Sequence, residues 1–266
     1  MRREILHQNE VLLAERRGSV LLLTLNRPEV MNSLSSGLAA ALLNAIERAN
    51  RDITTRTIVI AGAGERAFCA GADLKERSVM SAEEKWAQSR KLWHVNVALR
   101  NSPKAVIAAI HGWCLGGGFE LALYSDVRFA SEDARFGFPE MTLGAFPGAG
   151  GAVMLPRIVG LAKAKEIFFS ARRMTADDAM RHGIVEAVIA RDALIDHALD
   201  FARQVECTSP VGLASVKRVV NEGLDLPFDA AVALDQSLRR PLDASEDYQE
   251  GMRAHAERRR PVFRGR

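Results

Sequence analysis

The chain has 266 residues, 48% hydrophobic, 26% charged and 6% aromatic, a globular composition that excludes collagen-like, disordered and disulfide-framework architectures. Its net charge of +3, from 36 Lys+Arg against 33 Asp+Glu, is too balanced for a protein that coats nucleic acid. No apolar run approaches the ~18 residues of a membrane span, the N-terminal MRREILHQNE lacks the apolar core of a secretory signal, and three cysteines (Cys69, Cys114, Cys207) without a CxxC pair point to a reducing cytoplasm and no zinc site.

Val11 to Arg17 and Ser19 to Asn26, separated by Gly18, read as a hairpin, followed by a turn at Pro28 and Asn32. Leu38, Leu42, Ala45 and Ala49 have helical spacing. Thr57 to Ala61 is a buried strand, and Ser81-Ala-Glu-Glu84 is a capping box that opens a helix running toward Asn101. Pro103 ends that helix and Ala105 to Ile110 is a second buried strand. Phe119 to Tyr124 is helical, Val127 to Ala130 and Ile184 to Ile189 are extended, and Gly148 to Gly151 is a glycine cluster. From Asp192 onward every segment is helix-like, broken at Pro210, Pro227 and Pro241. The expectation is an α/β core over 1–191 with a helical region over 192–266 that packs on the body or on a neighbour.

One pattern occurs twice. Ile58-Val-Ile60 leads to Cys69-Ala-Gly-Ala72, and Val106 to Ile110 leads to Cys114-Leu-Gly-Gly117. Each is a buried strand that ends in Cys-x-Gly-small and turns into a helix. Side by side in one sheet, the two turns would bring two unpaired backbone N–H groups to the same edge, a natural receptor for negative charge.

Glu120 stands in FELALY, a segment apolar almost all round. A carboxylate there either pairs with an arginine or is buried with a raised pKa suited to proton transfer. Glu140 follows Phe138-Pro139 before a glycine-rich stretch, and alone reads as an exposed loop residue. Two carboxylates beside two amide donors, however, can polarise a carbonyl through its oxygen while moving protons at the neighbouring carbons. Each such donor is worth roughly 3 kcal/mol against a developing oxyanion.

Other motifs fail on context. Gly62-Ala-Gly64-Glu-Arg-Ala67 fits the dinucleotide fingerprint but does not open a helix, and there is no G-x-S-x-G, Walker or H-E-x-x-H signature. The six histidines show no ligand spacing. Trp86, Arg90, Trp93 and Val97 share one face of the Ser81 helix, either a packing stripe or a pocket wall. Arg253, Arg258, Arg259, Arg260, Arg264 and Arg266 crowd the C-terminus with only Glu257 among them. They form a solvated tail or a seat for a polyphosphate or a neighbouring subunit.

Taken together, FCAGADLK (68–75), GWCLGGGFE (112–120), FGFPE (136–140) and PGAGG (147–151) resemble the crotonase superfamily, the enoyl-CoA hydratases and isomerases, over nearly the whole chain. The resemblance implies a crotonase-like spiral of repeated ββα units with a C-terminal helical trimerisation domain, assembled as a homotrimer or homohexamer. It implies a coenzyme A thioester substrate, a place in fatty-acid metabolism, and no separate metal or redox cofactor. Ala72 and Gly117 would supply the oxyanion hole, Glu120 would activate water, Glu140 would protonate the α-carbon, and Gly148 would position the water. Asp73, Leu74, Lys75, Trp93 and Phe138 would contact the substrate, with Lys75 and the C-terminal arginines toward the CoA phosphates. Relatives with only one of the two glutamates tend to isomerase or other chemistry, so the pair favours hydration over isomerisation, thioester hydrolysis or a non-catalytic scaffold.

Within that family, Asn32-Ser-Leu-Ser35, GADLKER (71–77) and AKEIFFSAR (164–172) are most similar to methylglutaconyl-CoA hydratases. Phe138 departs from the Gln found in many short-chain hydratases, and Ala152-Val-Met154 from the usual Thr-Gln-Arg. The helix over 36–51, with two arginines and no lysine, lacks the lysine-rich face linked to RNA binding among methylglutaconyl relatives, so no nucleic-acid partner is expected.

Overall fold

A computed structural model describes residues 3–266; Met1 and Arg2, the start of the charged N-terminal segment and of the expected 1–191 core, lie outside the described residues. In chain order the strands are β1 (Arg3–Asn9), β2 (Leu12–Arg17), β3 (Val20–Leu25), β4 (Thr57–Gly62), β5 (Ala67–Cys69), β6 (Ala105–Ile110), β7 (Trp113–Leu115), β8 (Val127–Ser131), β9 (Arg135–Gly137), β10 (Met174–Thr175) and β11 (Ala187–Ile189). The helices are α1 (Ser36–Arg51), α2 (Leu74–Ser78), α3 (Ala82–Arg100), α4 (Gly117–Leu123), α5 (Gly151–Val159), α6 (Leu161–Ser170), α7 (Ala176–Arg181), α8 (Leu194–Val205), α9 (Pro210–Gly223), α10 (Phe228–Arg239) and α11 (Glu246–Ala256).

A seven-stranded sheet runs β1-β2-β3-β4-β6-β8-β11, and a smaller one runs β10-β9-β7-β5. β1, β2 and β3 are antiparallel, whereas β3, β4, β6, β8 and β11 are parallel. The expected hairpin is therefore present with a further edge strand before it, where charged and polar residues interrupt the apolar alternation. In the small sheet β5, β7 and β9 are parallel.

Three times the chain passes from a strand of the large sheet to one of the small sheet and then to a helix: β4–β5–α2, β6–β7–α4 and β8–β9–α5. This is the expected spiral of ββα units. The small-sheet strands are only two or three residues long, too short for a periodicity to be seen in sequence.

The continuous apolar strands are explained by burial on both faces. Leu21, Leu23, Ile58, Ile60, Val106 and Ala108 face the small sheet and helices α1, α3 and α4. Their alternates Leu22, Val59, Ile107 and Phe129 face α8, through Leu194, Ala198, Leu199 and Ala202. So α8, although beyond residue 191, packs as part of the core, and the helical region that stands apart begins after Val205. There α9 and α10 contain no buried residue, and Val216, Val220 and Phe228 are 60, 60 and 81% exposed. No helix of the described residues is long and apolar enough to cross a membrane.

The C-terminal arginines are not all free. The tail folds back on α11, where buried Asp247 accepts from Arg264 N (2.7 Å) and Gly265 N (3.1 Å). Arg259 pairs with Glu250 at 2.6 Å and Arg266 with Glu246 at 2.9 Å. The acidic partners come from helix α11 rather than from the tail, which is why the tail alone looked nearly unopposed.

The spiral depends on a close crossing of α4 over β5. A methyl group built on Gly118 would stand 2.3 Å from the Cys69 carbonyl oxygen, inside any allowed contact with backbone. We expect Gly118→Ala to cost about 1–3 kcal/mol through overpacking, read as a lowered thermal unfolding midpoint; an unchanged midpoint would show that the crossing is slack.

Candidate active site

The two Cys-x-Gly-small turns meet. β5 and β7 pair with Cys69 opposite Cys114, which sets the following turns side by side. Ala72 forms a parallel bridge with Leu34 in which Leu34 N donates to Gly71 O at 2.7 Å and Asp73 N donates to Leu34 O at 3.1 Å. In such a bridge the flanked residue directs its own N–H to the opposite side. Gly116, at φ +50°, reverses the chain so that α4 begins at Gly117 with an unpaired first-turn N–H. A methyl group built on Gly117 would lie 3.7 Å from Ala72 N, and one on Gly71 would lie 3.3 Å from Gly117 N. The two donors are thus neighbours, and neither has a backbone partner among the described residues.

Glu120 is 3% exposed. Among the described residues no arginine pairs with it. Instead its Oε1 accepts from Ala149 N at 2.8 Å and Gly151 N at 2.7 Å, both on the glycine cluster. That cluster is itself held by Asn96, whose Nδ2 donates to Ala149 O at 2.9 Å, and by Tyr124, whose hydroxyl donates to Gly150 O at 3.4 Å. Burial raises the Glu120 pKa, while the two N–H groups pull it down and favour the ionised form.

Glu140 lies on a 3-10 turn, Pro139–Leu143, that follows β9. Its Oε2 is buried without a hydrogen-bond partner among the described residues. That oxygen stands 3.1 Å from where a methyl group on Gly116 would be, and Glu120 Oε2 is 3.9 Å from the corresponding point on Gly117. Burial, helped by the negative charge of Glu120 and opposed by its own backbone N–H and Arg173, pushes Glu140 up to about 7.

Ala72, Gly117, Glu120, Glu140, Gly148 and Leu74 all line one cavity of ≈ 240 Å³. A larger one, ≈ 650 Å³, lies between β2, β3 and α1 and contains none of these groups. The two carboxyl groups and the two amide donors share the smaller cavity.

Four other expected contacts are placed elsewhere. Trp93 is 42% exposed and lies outside the cavity. The buried stripe of α3 is Gln88, Leu92, Val95, Asn96 and Leu99, two residues or about 200° round from the Trp86–Trp93 face and so on the opposite side of the helix, and α3 lines the cavity with Ser89 and Leu92. Phe138 is fully buried, stacked on Phe119 at 4.8 Å and close to Phe168 at 4.9 Å. Phe136 is equally buried, and the two-residue spacing that puts both rings on one side of an extended strand was the available signal. Asp73 is occupied as the cap of α2, accepting from Lys75 N and Glu76 N at 3.1 Å each, and pairs with Arg27 at 2.9 Å. Lys75 is exposed and outside the cavity. Residues not foreseen include Arg77, Leu143 and Phe146, which line the cavity, and Asn96, which holds its glycine loop.

Residues 15–266 match a family model described as enoyl-CoA hydratase/isomerase. The 2,3-dehydroadipyl-CoA hydratase of Escherichia coli is 39% identical over 96% of this chain and 99% of its own. The mitochondrial methylglutaconyl-CoA hydratase of Rattus norvegicus is 36% identical over 95% of this chain and 82% of its own. Among solved structures, an enoyl-CoA hydratase from Bacillus anthracis superposes with a TM-score of 0.94 at 34% identity, covering 96% of this chain and 100% of the other.

Because the fold favours neutral Glu140, this group adds stability below its ordinary value of 4.5, and that contribution is lost as pH rises through about 7. Glu140→Gln, permanently neutral, should therefore match the parent near pH 4 and unfold at a higher temperature than it above pH 8. Calorimetric melts across that range test this; a variant less stable at every pH would contradict the raised carboxyl.

Proposed function

The chain belongs to the enoyl-CoA hydratase/isomerase family, and from that premise we propose how its cavity hydrates an α,β-unsaturated acyl-CoA. The protein is an enoyl-CoA hydratase, as are full-length relatives at this level of identity. The observation that carries the mechanism is the convergence of two carboxyl groups and two unpartnered N–H groups on a single ≈ 240 Å³ cavity.

The thioester oxygen is taken to sit between Ala72 N–H and Gly117 N–H. Glu120, held as a carboxylate by Ala149 and Gly151, takes a proton from water, whose oxygen bonds to Cβ. The π electrons move onto the thioester oxygen as an enolate, where the two amide dipoles meet the new charge without reorganising. Glu140, raised to about 7, gives its proton to Cα on the same side, and syn addition is complete. Glu120 is left protonated and Glu140 ionised, and exchange with solvent restores them. The thioester acidifies Cα and the hole stabilises the enolate, so the reaction as drawn calls on no metal or redox cofactor. An isomerase would move one proton between carbons and has less use for a second carboxyl; the pair favours hydration.

The substrate is an acyl-CoA, and the name of one relative, 2,3-dehydroadipyl-CoA hydratase, suggests short unsaturated chains. We further propose that the apolar surfaces of α9 and α10 are covered by other copies in a trimer or hexamer, and that the protein works in the cytoplasm without a nucleic-acid or membrane partner.

Removing one proton-transfer group costs on the order of 10²–10⁴ in rate. Glu140→Gln should lower kcat by that range with acyl-CoA affinity little changed, followed as loss of the conjugated enoyl absorbance of crotonyl-CoA. Turnover close to that of the parent enzyme would remove Glu140 from the mechanism. In the hydration direction kcat/KM should also rise as pH passes above the ordinary glutamate range, where Glu120 ionises, and fall through about 7, where Glu140 loses its proton. A profile flat from pH 5 to 9 would refute the division of roles.

A further inference from the structure

The cavity that holds the reacting groups has one cation in its wall. Arg77, in the last turn of α2, lines it together with Leu74, Leu92, Leu143 and Phe146. A positive charge among apolar side chains is out of place if the cavity takes only hydrocarbon, since a half-buried charge loses hydration and should gain a partner.

Its protein partners are neutral. Arg77 Nη1 donates to Gln88 Oε1 at 2.9 Å and to Ser89 Oγ at 3.3 Å. Among the described residues no carboxylate lies within 4.0 Å of the guanidinium, and neither Nε nor Nη2 has a hydrogen-bond acceptor. The adjacent acid is committed elsewhere: Glu76 accepts from Ser36 N at 3.0 Å, at the start of α1, and from Gln88 Nε2 at 2.8 Å. Gln88, 2% exposed, stands between the two charges, its amide nitrogen toward Glu76 and its amide oxygen toward Arg77. It fixes the arginine through one nitrogen and keeps it from neutralisation by its neighbour. What remains is the Nε–Nη2 edge, a fork that matches the two oxygens of a carboxylate.

Arg77 is also set at a distance from the reacting centre. Its backbone N donates to Asp73 O at 2.9 Å, so it lies one helical turn beyond Ala72 and its N–H. Ser89, its neighbour on α3, faces the glycine loop, since a methyl group on Gly148 would be 3.5 Å from Ser89 Oγ. The cation is thus on the α2–α3 wall of the cavity that also holds the two amide donors.

We propose that Arg77 selects enoyl-CoA substrates whose acyl chain ends in a carboxylate, which it binds through its Nε–Nη2 edge. This rests on the hydratase reading of the same cavity. The substrate class is a short dicarboxylic enoyl-CoA: the thioester at Ala72 and Gly117, the double bond between the two glutamates, and the terminal carboxylate on Arg77.

The test compares crotonyl-CoA with glutaconyl-CoA, its analogue bearing a terminal carboxylate, and measures inhibition by the unreactive pair butyryl-CoA and glutaryl-CoA. The parent enzyme should favour glutaconyl-CoA by at least about tenfold in kcat/KM, and glutaryl-CoA should inhibit more tightly than butyryl-CoA. In Arg77→Met the glutaconyl-to-crotonyl ratio should fall at least about tenfold, mainly through KM, with Arg77→Lys in between because an ammonium cannot reproduce the fork. Equal loss on both substrates in Arg77→Met would assign Arg77 to CoA binding or to packing, and a parent enzyme that prefers crotonyl-CoA would likewise overturn the inference. Absence of turnover on every enoyl-CoA would instead refute the hydratase reading, while the inhibitor pair still reports on the carboxylate through binding alone.

Discussion

Two turns of the spiral approach each other at a separation that side chains larger than hydrogen do not allow, and everything in the site is referenced to that approach. Gly118 passes over the Cys69 carbonyl, and Gly71 passes beside Leu115 O and Gly117 N, where a methyl group would stand 2.9 and 3.3 Å away. The consequence is not only compactness. It makes Ala72 N–H and Gly117 N–H neighbours at the rim of the cavity without using any side chain. Main-chain donors fixed by sheet pairing and by a helix start have little freedom to turn toward water, the condition under which an oxyanion receptor acts at its strongest.

The large-scale architecture was legible because it rests on strong, repeated signals. β3, β4 and β6 are unbroken apolar runs whose alternate residues serve two different interfaces, and the capping box of α3 is formed as the sequence implies, with Ser81 and Glu84 bonded reciprocally. The amide donors were legible through the duplicated Cys-x-Gly-small turn and Glu120 through the apolar run FELALY, whereas Glu140 alone reads as an exposed loop residue. What escaped was the direction of side chains on α3. Its buried stripe contains Gln88 and Asn96, while Trp86 and Trp93 face out, so hydrophobicity points to the wrong face. Both buried polar residues have duties: Asn96 holds the glycine loop and Gln88 holds Arg77. Local rules fail where polar groups are buried for the sake of a site.

The C-terminal region shows the opposite limit. Its helices begin where the prolines suggested, with Pro210 at the start of α9 and Pro227 just before α10. Yet α10, with no buried residue, lacks the tertiary packing from which most helical stability comes, while α9 is tied to the body by Lys217, paired with Asp126, and by Asn221, which donates to Arg100 O. Phe228, Leu224 and Val220, 81, 73 and 60% exposed, cover too much apolar surface for a solvated arm. Composition cannot separate a helix that packs on its own core from one that does not; α8 is the first kind and α10 the second, although both carry an apolar face.

The two glutamates illustrate how one cavity sets unlike roles for like groups. Both are buried, and burial alone would neutralise both. Burial still raises Glu120, but the glycine loop presents two N–H groups to one of its oxygens, and these oppose the rise by stabilising the anion. Glu140 has a buried oxygen with no donor and faces the charge of Glu120, so it retains its proton near neutrality. The asymmetry is therefore located in the loop over 148–151 rather than in either carboxyl group. Loosening that loop would remove the donors from Glu120 and let its pKa climb further, because burial would then act unopposed. Asn96 and Tyr124, neither of which lines the cavity, bear on Glu120 through this route, by holding the carbonyls of Ala149 and Gly150 beside the N–H groups from which Glu120 accepts.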